Sequence, residues 1–316
     1  MRDESAFGMG AGYSEHGCNA TMKDPLHGAM LITDMDGTLL NSDGSLTKQD
    51  MDALFSLGRK GVVRVIATGR SLYSFKAVAG NQLPVDYVIF STGAGVITFP
   101  DCRLIRKIHL DAGAVLSAIQ IFMEFGLDFM VHQPIPDNHR FVYHDTGRDN
   151  PDFHRRLSRY SEFCRPLGNA SSNIGSASQL LAVVNHDNSV SVLMALRSKL
   201  TGYSVIRSTS PLDGKSTWIE VFAPGVSKSQ CAAWLTDRLN IDKKLVLAVG
   251  NDYNDLDLLE WAGTAFLVDN APDVLKNRFA CVASHDHGGV SEAIHLWLSD
   301  FTSFETRTVM ANDLCC

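Results

Sequence analysis

The sequence predicts an α/β protein, a parallel sheet covered by helices and interrupted by an inserted α+β unit. Three observations carry this. Short β-branched runs alternate with amphipathic helical stretches at both ends of the chain. In the middle the rhythm breaks into hairpin-like patterns. Four polar clusters each follow a predicted strand or open a helix, where open parallel sheets hold their ligands.

The elements run as follows. Ala29–Thr33 is an apolar run ending on Asp34, the pattern of a buried strand feeding a loop. Across Thr47–Lys60, Met51, Leu54, Phe55 and Leu57 share a helix face, and Gly61 stands in the place glycine favours just past a helix. Val62–Ala67 reads as a strand, Leu72–Ala79 as a helix and Asp86–Phe90 as a third strand. Short links between them imply right-handed crossovers and a parallel sheet. Val96–Thr98 and Leu104–His109 around Pro100–Asp101 read as a hairpin that opens the insert. The insert continues with a helix at Ala112–Phe125, strands near Phe129–His132 and Arg140–His144, and a helix from Asp152 to about Phe163. After a Ser/Asn/Gly loop at Gly168–Ser178 come strand Leu180–Val184, helix Val190–Leu200 and strands Ser204–Ser208 and Thr217–Phe222. The first rhythm resumes with helix Lys228–Leu239, strand Leu245–Val249, helix Asp255–Trp261, strand Thr264–Val268 and a last strand and helix by Trp297. The expected division is an α/β core at 28–94 and 223–300, an inserted α+β unit at 95–222, an N-terminal extension at 1–27 taken as disordered, and a tail at 301–316.

Composition excludes several function classes. The 316 residues carry a formal net charge of −7 and no long Lys/Arg run, so the electrostatic footprint of a nucleic-acid binder is missing. Cys18, Cys102, Cys164, Cys231, Cys281, Cys315 and Cys316 are odd in number and contain no CxxC pair, which argues for a reducing compartment. No apolar run approaches membrane-spanning length, and Met1–Met30 lacks a signal-peptide core. A cytoplasmic protein, monomer or homodimer, acting on a small molecule is the expectation.

The clusters carry the chemistry. Asp34 at a strand end can attack phosphorus and form an aspartyl-phosphate. Asp36, two residues on, can protonate the leaving oxygen and then activate water. Gly37 permits a sharp turn whose N–H groups can hold phosphoryl oxygens. An EF-hand reading of Asp34–Gly37 fails, because its glycine and glutamate positions would be Leu39 and Ser45; a capped surface turn stays open for this cluster taken alone. Thr68, in Ala67–Arg70, offers a hydroxyl, and Lys228 offers charge for phosphoryl transfer. Gly250–Asp255 gathers oxygen ligands suited to Mg²⁺, although Asn254 or Asp255 could equally cap the following helix.

Together the clusters resemble the haloacid dehalogenase (HAD) superfamily of phosphatases, in the Cof-type branch with a large α/β cap. DMDGTL at Asp34–Leu39, ATGR at Ala67–Arg70, GVSK at Gly225–Lys228 and GNDYND at Gly250–Asp255 match its four motifs, and the likeness covers roughly Ala29–Leu298. It implies a HAD-like Rossmannoid core, Mg²⁺ as cofactor and a phosphorylated metabolite as substrate, with sugar phosphates foremost. It implies Asp34 as nucleophile, Asp36 as acid/base, and Thr68 and Lys228 as phosphoryl holders, with Gly37, Gly69, Arg70 and Asn254 beside the phosphate. The implied metal ligands are Asp34, the backbone carbonyl of Asp36, and Asn251, Asp252 and Asp255. Two departures stand out. Asn251 occupies a place where the family has Asp, so weaker metal binding is expected unless Asp252 is drawn in. Thr92 stands where relatives often have Asn, which weakens any substrate contact carried over to it. A phosphomutase of the same fold, or a ligand-binding protein on a weakened site, are the alternatives.

Other features read more plainly. His285-Asp286-His287 lies in a Gly-rich loop and is expected to be loop rather than metal site. Gly8–Gly12 has no preceding strand and reads as linker. The insert's His132, His139, Arg140, His144 and Arg207 could meet a polar substrate, but each is expected as a solvated or core-edge side chain.

Overall fold

The computed structural model describes Leu26 and residues 28–80, 83–168 and 174–300. The expected extension at 1–27 (Leu26 apart), the tail at 301–316, the Gly8–Gly12 run and the Cys315–Cys316 pair lie outside the described residues, as does part of the Gly168–Ser178 loop.

The first half of the larger sheet forms as its sequence directs. Strand β1 (Met30–Thr33) leads to α1 (Lys48–Arg59), β2 (Val63–Ala67), α2 (Leu72–Ala79) and β3 (Tyr87–Phe90). Helix α1 starts where the Thr47 hydroxyl accepts from the Asp50 N–H, and it buries Ala53, Leu54 and Leu57. The Asp50 carboxylate, itself buried, accepts from the Thr47 hydroxyl and from the Ser291 N–H, both at 2.7 Å. The same residue thus closes the helix cap and ties α1 to Ser291, 241 residues further along the chain.

Strands β4 (Gly95–Thr98) and β5 (Leu104–Lys107) form the expected hairpin but not in the expected place. They extend the larger sheet antiparallel beyond β3, with Phe90 opposite Gly95, instead of opening the insert. The reason is the tight turn Ser91–Gly93, which reverses the chain at once; Gly95 then lies under the Phe90 ring, where a Cβ would collide.

Next come α3 (Ala112–Glu124), β6 (Asp128–His132), β7 (Phe141–His144), α4 (Pro151–Arg159), β8 (Cys164–Pro166), β9 (Gln179–Val184), α5 (Ser189–Lys199), β10 (Ser204–Thr209) and β11 (Thr217–Phe222). Their strands make a second sheet in the order β10-β11-β9-β6-β7-β8. It is antiparallel except for β8, a three-residue strand absent from the sequence reading, which pairs parallel to β7.

The chain returns to the larger sheet through α6 (Lys228–Leu239), β12 (Val246–Gly250), α7 (Leu256–Trp261), β13 (Thr264–Val268), α8 (Asp273–Lys276), β14 (Ala280–Val282) and α9 (residues 289–300). The complete order is β14-β13-β12-β1-β2-β3-β4-β5, parallel from β14 to β3. Along β1, Leu31 joins one apolar cluster while Met30 and Ile32 join another on the opposite face. Such two-sided burial is what a parallel sheet covered by helices requires, and it explains the unbroken apolar runs. Among the described residues no helix is long and apolar enough to cross a membrane.

Candidate active site

The central strands end together. The Asp34 N–H donates to the Val249 carbonyl at 2.9 Å, one step beyond the β1–β12 ladder, so its carboxylate emerges at the carboxyl edge of the sheet. Lys228, first residue of α6, reaches the same point because Ser227 caps that helix. The Lys228 ammonium is fully buried and donates at 2.5 Å to Asp34 Oδ1 and at 2.5 Å to Asp255 Oδ1. Burial opposes its charge, yet Asp255 and Asp34 outweigh burial and hold the ammonium above its ordinary value. For Asp34 the balance runs the other way. Burial, opposed by Lys228 and aided by Asp255, pushes its carboxyl up to about 7.

Asp255 is wholly internal. Its second oxygen accepts from the Asn251 N–H at 2.9 Å and the Asp252 N–H at 3.1 Å, shaping the loop after β12. Gly250 is required there, since a Cβ would sit 2.7 Å from the Asp255 carboxylate carbon. Asp36, on the opposite side, accepts a bidentate pair from Arg70, Nε to Oδ2 and Nη2 to Oδ1, both at 2.7 Å. Gly37 turns the chain at φ +73°, and its α-carbon faces the Asn251 amide so closely that a Cβ would lie 2.6 Å from Nδ2.

Asp34, Asp36, Gly37, Gly69, Arg70, Asn251, Asp252 and Asn254 line one cavity of about 650 Å³ between the two sheets. Thr68, Lys228 and Asp255 are buried off its surface, and the Thr68 hydroxyl accepts from the Arg70 N–H at 3.1 Å. Three of the expected residues have protein partners in the structure. Arg70, expected at the phosphate, has its guanidinium fork engaged by Asp36. Asp252, expected as a metal ligand, turns away to accept from the Thr209 N–H at 2.7 Å and hydroxyl at 2.9 Å, which ties β10 to the loop after β12. Asp255, also expected at the metal, has both oxygens engaged by Lys228 and the loop N–H groups.

Of the expected metal ligands, the second Asp34 oxygen, the Asp36 carbonyl and the Asn251 side chain remain. Among the described residues no group of three His, Cys, Asp or Glu side chains gathers to form a cage. A hard, oxygen-only donor set of this sparseness fits Mg²⁺, which keeps several waters and takes substrate phosphate oxygens. The His285–His287 segment sits beside the site, its Asp286 held by the Ser42 hydroxyl and His285 on the cavity wall.

Sequence reasoning passed over Glu220, Asn138 and Arg156, and set His132 aside as a solvated or core-edge side chain. Glu220 is buried within the otherwise uncharged β11, accepting from Gln179 Nε2 at 3.1 Å and the Thr92 hydroxyl at 3.5 Å. Asn138 Nδ2 donates to the Ser91 hydroxyl at 2.7 Å, while Arg156 from α4 and His132 from β6 line the cavity. The available signal was a lone acid in the buried run Thr217–Phe222. Thr92 is fully buried with its hydroxyl turned to Glu220.

A doubly wound sheet with paired aspartates at its central strand ends defines an α/β enzyme of the HAD-like class. A family profile for haloacid dehalogenase-like hydrolases matches residues 31–294, so the chain belongs to that family. Among its relatives is the 5-amino-6-(5-phospho-D-ribitylamino)uracil phosphatase YwtE of Bacillus subtilis, 24% identical over 85% of this chain and 98% of that protein. An HMP-PP phosphatase of Yersinia pseudotuberculosis is 25% identical over 84% of this chain and 94% of its own length. The solved HAD subclass IIB sugar phosphatase BT4131 shares the fold at a TM-score of 0.66 and 18% identity, covering 85% of this chain and 98% of that one.

Proposed function

We propose that this protein is a Mg²⁺-dependent phosphatase that hydrolyses a small phosphorylated metabolite, sugar phosphates being the favoured class, through the carboxylate of Asp34. The observation that carries the reading is the Asp34 carboxylate, buried on the cavity wall, paired with Lys228 and two residues from Asp36. Asp34 attacks phosphorus, the bond to the leaving oxygen breaks, and Asp36 delivers the proton that oxygen needs. Asp36 then takes a proton from water as the water attacks the aspartyl-phosphate, releasing phosphate and regenerating Asp34. Arg70 grips both Asp36 oxygens, so one of these two contacts opens when Asp36 carries the proton while the other keeps the group oriented. Lys228 offsets part of the burial that disfavours the Asp34 anion. Bound Mg²⁺, held by Asp34, the Asp36 carbonyl and Asn251, supplies positive charge against the phosphoryl oxygens.

In this reading residues 28–107 and 223–300 form the catalytic unit, and 108–222 the unit that covers it and excludes water. The relatives named above are phosphatases with different leaving groups, so they support the reaction more firmly than any one substrate. Phosphate release from a panel of sugar phosphates, with and without Mg²⁺, tests the proposal. Metal-dependent release that vanishes in Asp34→Asn is expected. Release that persists in Asp34→Asn would overturn the nucleophile, and net isomerisation with little free phosphate would indicate a mutase.

A further inference from the structure

Opposite Asp34 the cavity is walled by one face of the smaller sheet, and the steps above do not use its chemistry. Strand register builds that face. Glu220 on β11 pairs with Leu181 on β9, Leu181 with Met130 on β6, and Gln179 with His132. Side chains alternate along a strand, so Glu220, Gln179 and His132 share one side of the sheet. All three line the cavity although each is buried by more than nine-tenths.

His132 has a fixed role. Its Nδ1 lies 2.8 Å from the Asn138 carbonyl oxygen, which can only accept, so Nδ1 carries the proton and Nε2 presents a bare lone pair. Burial, reinforced by the Arg156 charge, keeps the ring neutral by pushing its pKa down to about 3. Arg156 and His139, the charges this ring feels, both belong to the wall of the same cavity. Nε2 is buried and has no hydrogen-bond partner. Asn138 repeats the pattern: Nδ2 donates to the Ser91 hydroxyl, and Oδ1 is buried without a partner. Arg156 provides the opposite polarity, its guanidinium 4.4 Å over the Trp218 ring and its Nε unpartnered. A buried acceptor left unmet is costly, so two of them beside one donor call for a ligand that both donates and accepts. Hydroxyl groups do both.

We propose that His132 Nε2 and Asn138 Oδ1, with Arg156 as donor, form a specificity subsite selecting a polyhydroxylated leaving group over one without hydroxyls. The subsite rests on the phosphatase reading for its orientation, with the phosphoryl group at Asp34 and the leaving group extending toward β6.

The test is calorimetric binding to Asp34→Asn protein in the presence of Mg²⁺, with sorbitol 6-phosphate, glucose 6-phosphate and n-hexyl phosphate as probes. The two hydroxylated esters are expected to bind at least about tenfold tighter than the hexyl ester, and their ranking separates an open chain from a ring. Adding His132→Asn, which keeps an amide near the δ position and loses the ε acceptor, should cut that preference about tenfold. His132→Gln, whose carbonyl reaches the ε position, should retain it to within about threefold. Thermal melts of both variants establish that they are folded. Equal affinity for the hydroxylated and hexyl esters, or the same preference in both His132 variants, overturns the subsite. Turnover of the same esters by protein with Asp34 intact keeps the two readings apart. No phosphate release with the binding preference retained refutes the phosphatase and leaves the subsite standing, whereas release without preference refutes the subsite alone.

Discussion

Replacing Glu220 by glutamine should stabilise the folded protein at alkaline pH and have little effect in acid. Burial, opposed by Arg156, Gln179 and Lys228, pushes the Glu220 carboxyl from its ordinary 4.5 up to about 7. The folded state therefore binds this proton more tightly than the unfolded chain, and between pH 4.5 and 7 it is the folded state that carries the extra proton. Stability falls as pH rises through that window, and the full cost is felt above it. At about 1.4 kcal/mol per pH unit, the gap amounts to about 3 kcal/mol. Glutamine keeps the shape, offers its carbonyl to Gln179 Nε2 and can donate to the Thr92 hydroxyl, so both contacts survive. Urea unfolding of wild type and Glu220→Gln in metal-free buffer, from pH 4.5 to 8.5, measures the difference. We expect a gain of about 2–3 kcal/mol at pH 8.5 that shrinks toward zero by pH 4.5. A gain independent of pH would show that Glu220 does not titrate in this window. Destabilisation at pH 8.5 would show that attraction to Arg156 exceeds the burial cost, and either result refutes the reasoning.

Three further outcomes follow from the site. Lys228→Met leaves two buried carboxylates without their cation and should cost about 3–5 kcal/mol in urea unfolding; adding Asp255→Asn should recover part of that loss, and a single-variant cost below about 1 kcal/mol would refute the pairing. Asp252→Asn should weaken the bond from the Thr209 N–H, lowering stability by about 1–3 kcal/mol and raising amide exchange in β10, while Mg²⁺ affinity by calorimetry stays within about twofold; a tenfold loss of affinity would restore Asp252 as a ligand. Asn251→Asp puts a charge in place of a neutral amide and should tighten Mg²⁺ about tenfold or more, whereas ordinary affinity in the wild type, unchanged in the variant, would refute the weakened-site idea.

The larger sheet was legible because parallel strands buried on both faces write unbroken apolar runs, and Met30–Thr33, Val63–Ala67 and Val246–Gly250 lie within a residue of expectation. The Lys228–Leu239 helix and the Thr264–Val268 strand match to the residue. Pairing was less legible. Gly95–Thr98 looks the same whether its hairpin joins one sheet or the other, and only the turn at Ser91–Gly93 decides. Cys164–Pro166 was missed because three residues are too few to show a period. In the site, Asp34, Asp36 and Lys228 could be found because each sits at a strand or helix end that the pattern locates. Motif spacing could not say that Asp252 faces Thr209, or that Arg70 grips Asp36, because those partners arrive from distant parts of the chain.

The same long-range partners explain how the two sheets share one site. Ser91 and Thr92 have φ of 48° and 55°, a region that side chains, and a β-branched one above all, enter at a cost of about 1–3 kcal/mol each. Both are held from the smaller sheet's side, Ser91 by Asn138 and Thr92 by Glu220, and the Thr92 N–H in turn donates to the Thr68 carbonyl at 3.0 Å. Two residues of the loop after β12 are held likewise, Asp252 by Thr209 and Tyr253 beneath the Arg207 guanidinium, 3.9 Å above its ring. Displacing the smaller sheet would therefore strip Glu220 and Asp252 of hydrogen-bond donors and leave a strained turn unsupported next to Thr68. A ligand shifts such a balance only by as much as it favours one arrangement. One that bonds to His132 and Asn138 at one end and reaches Asp34 at the other contacts both sheets, so recognition of its far end bears directly on the order of the residues around Asp34.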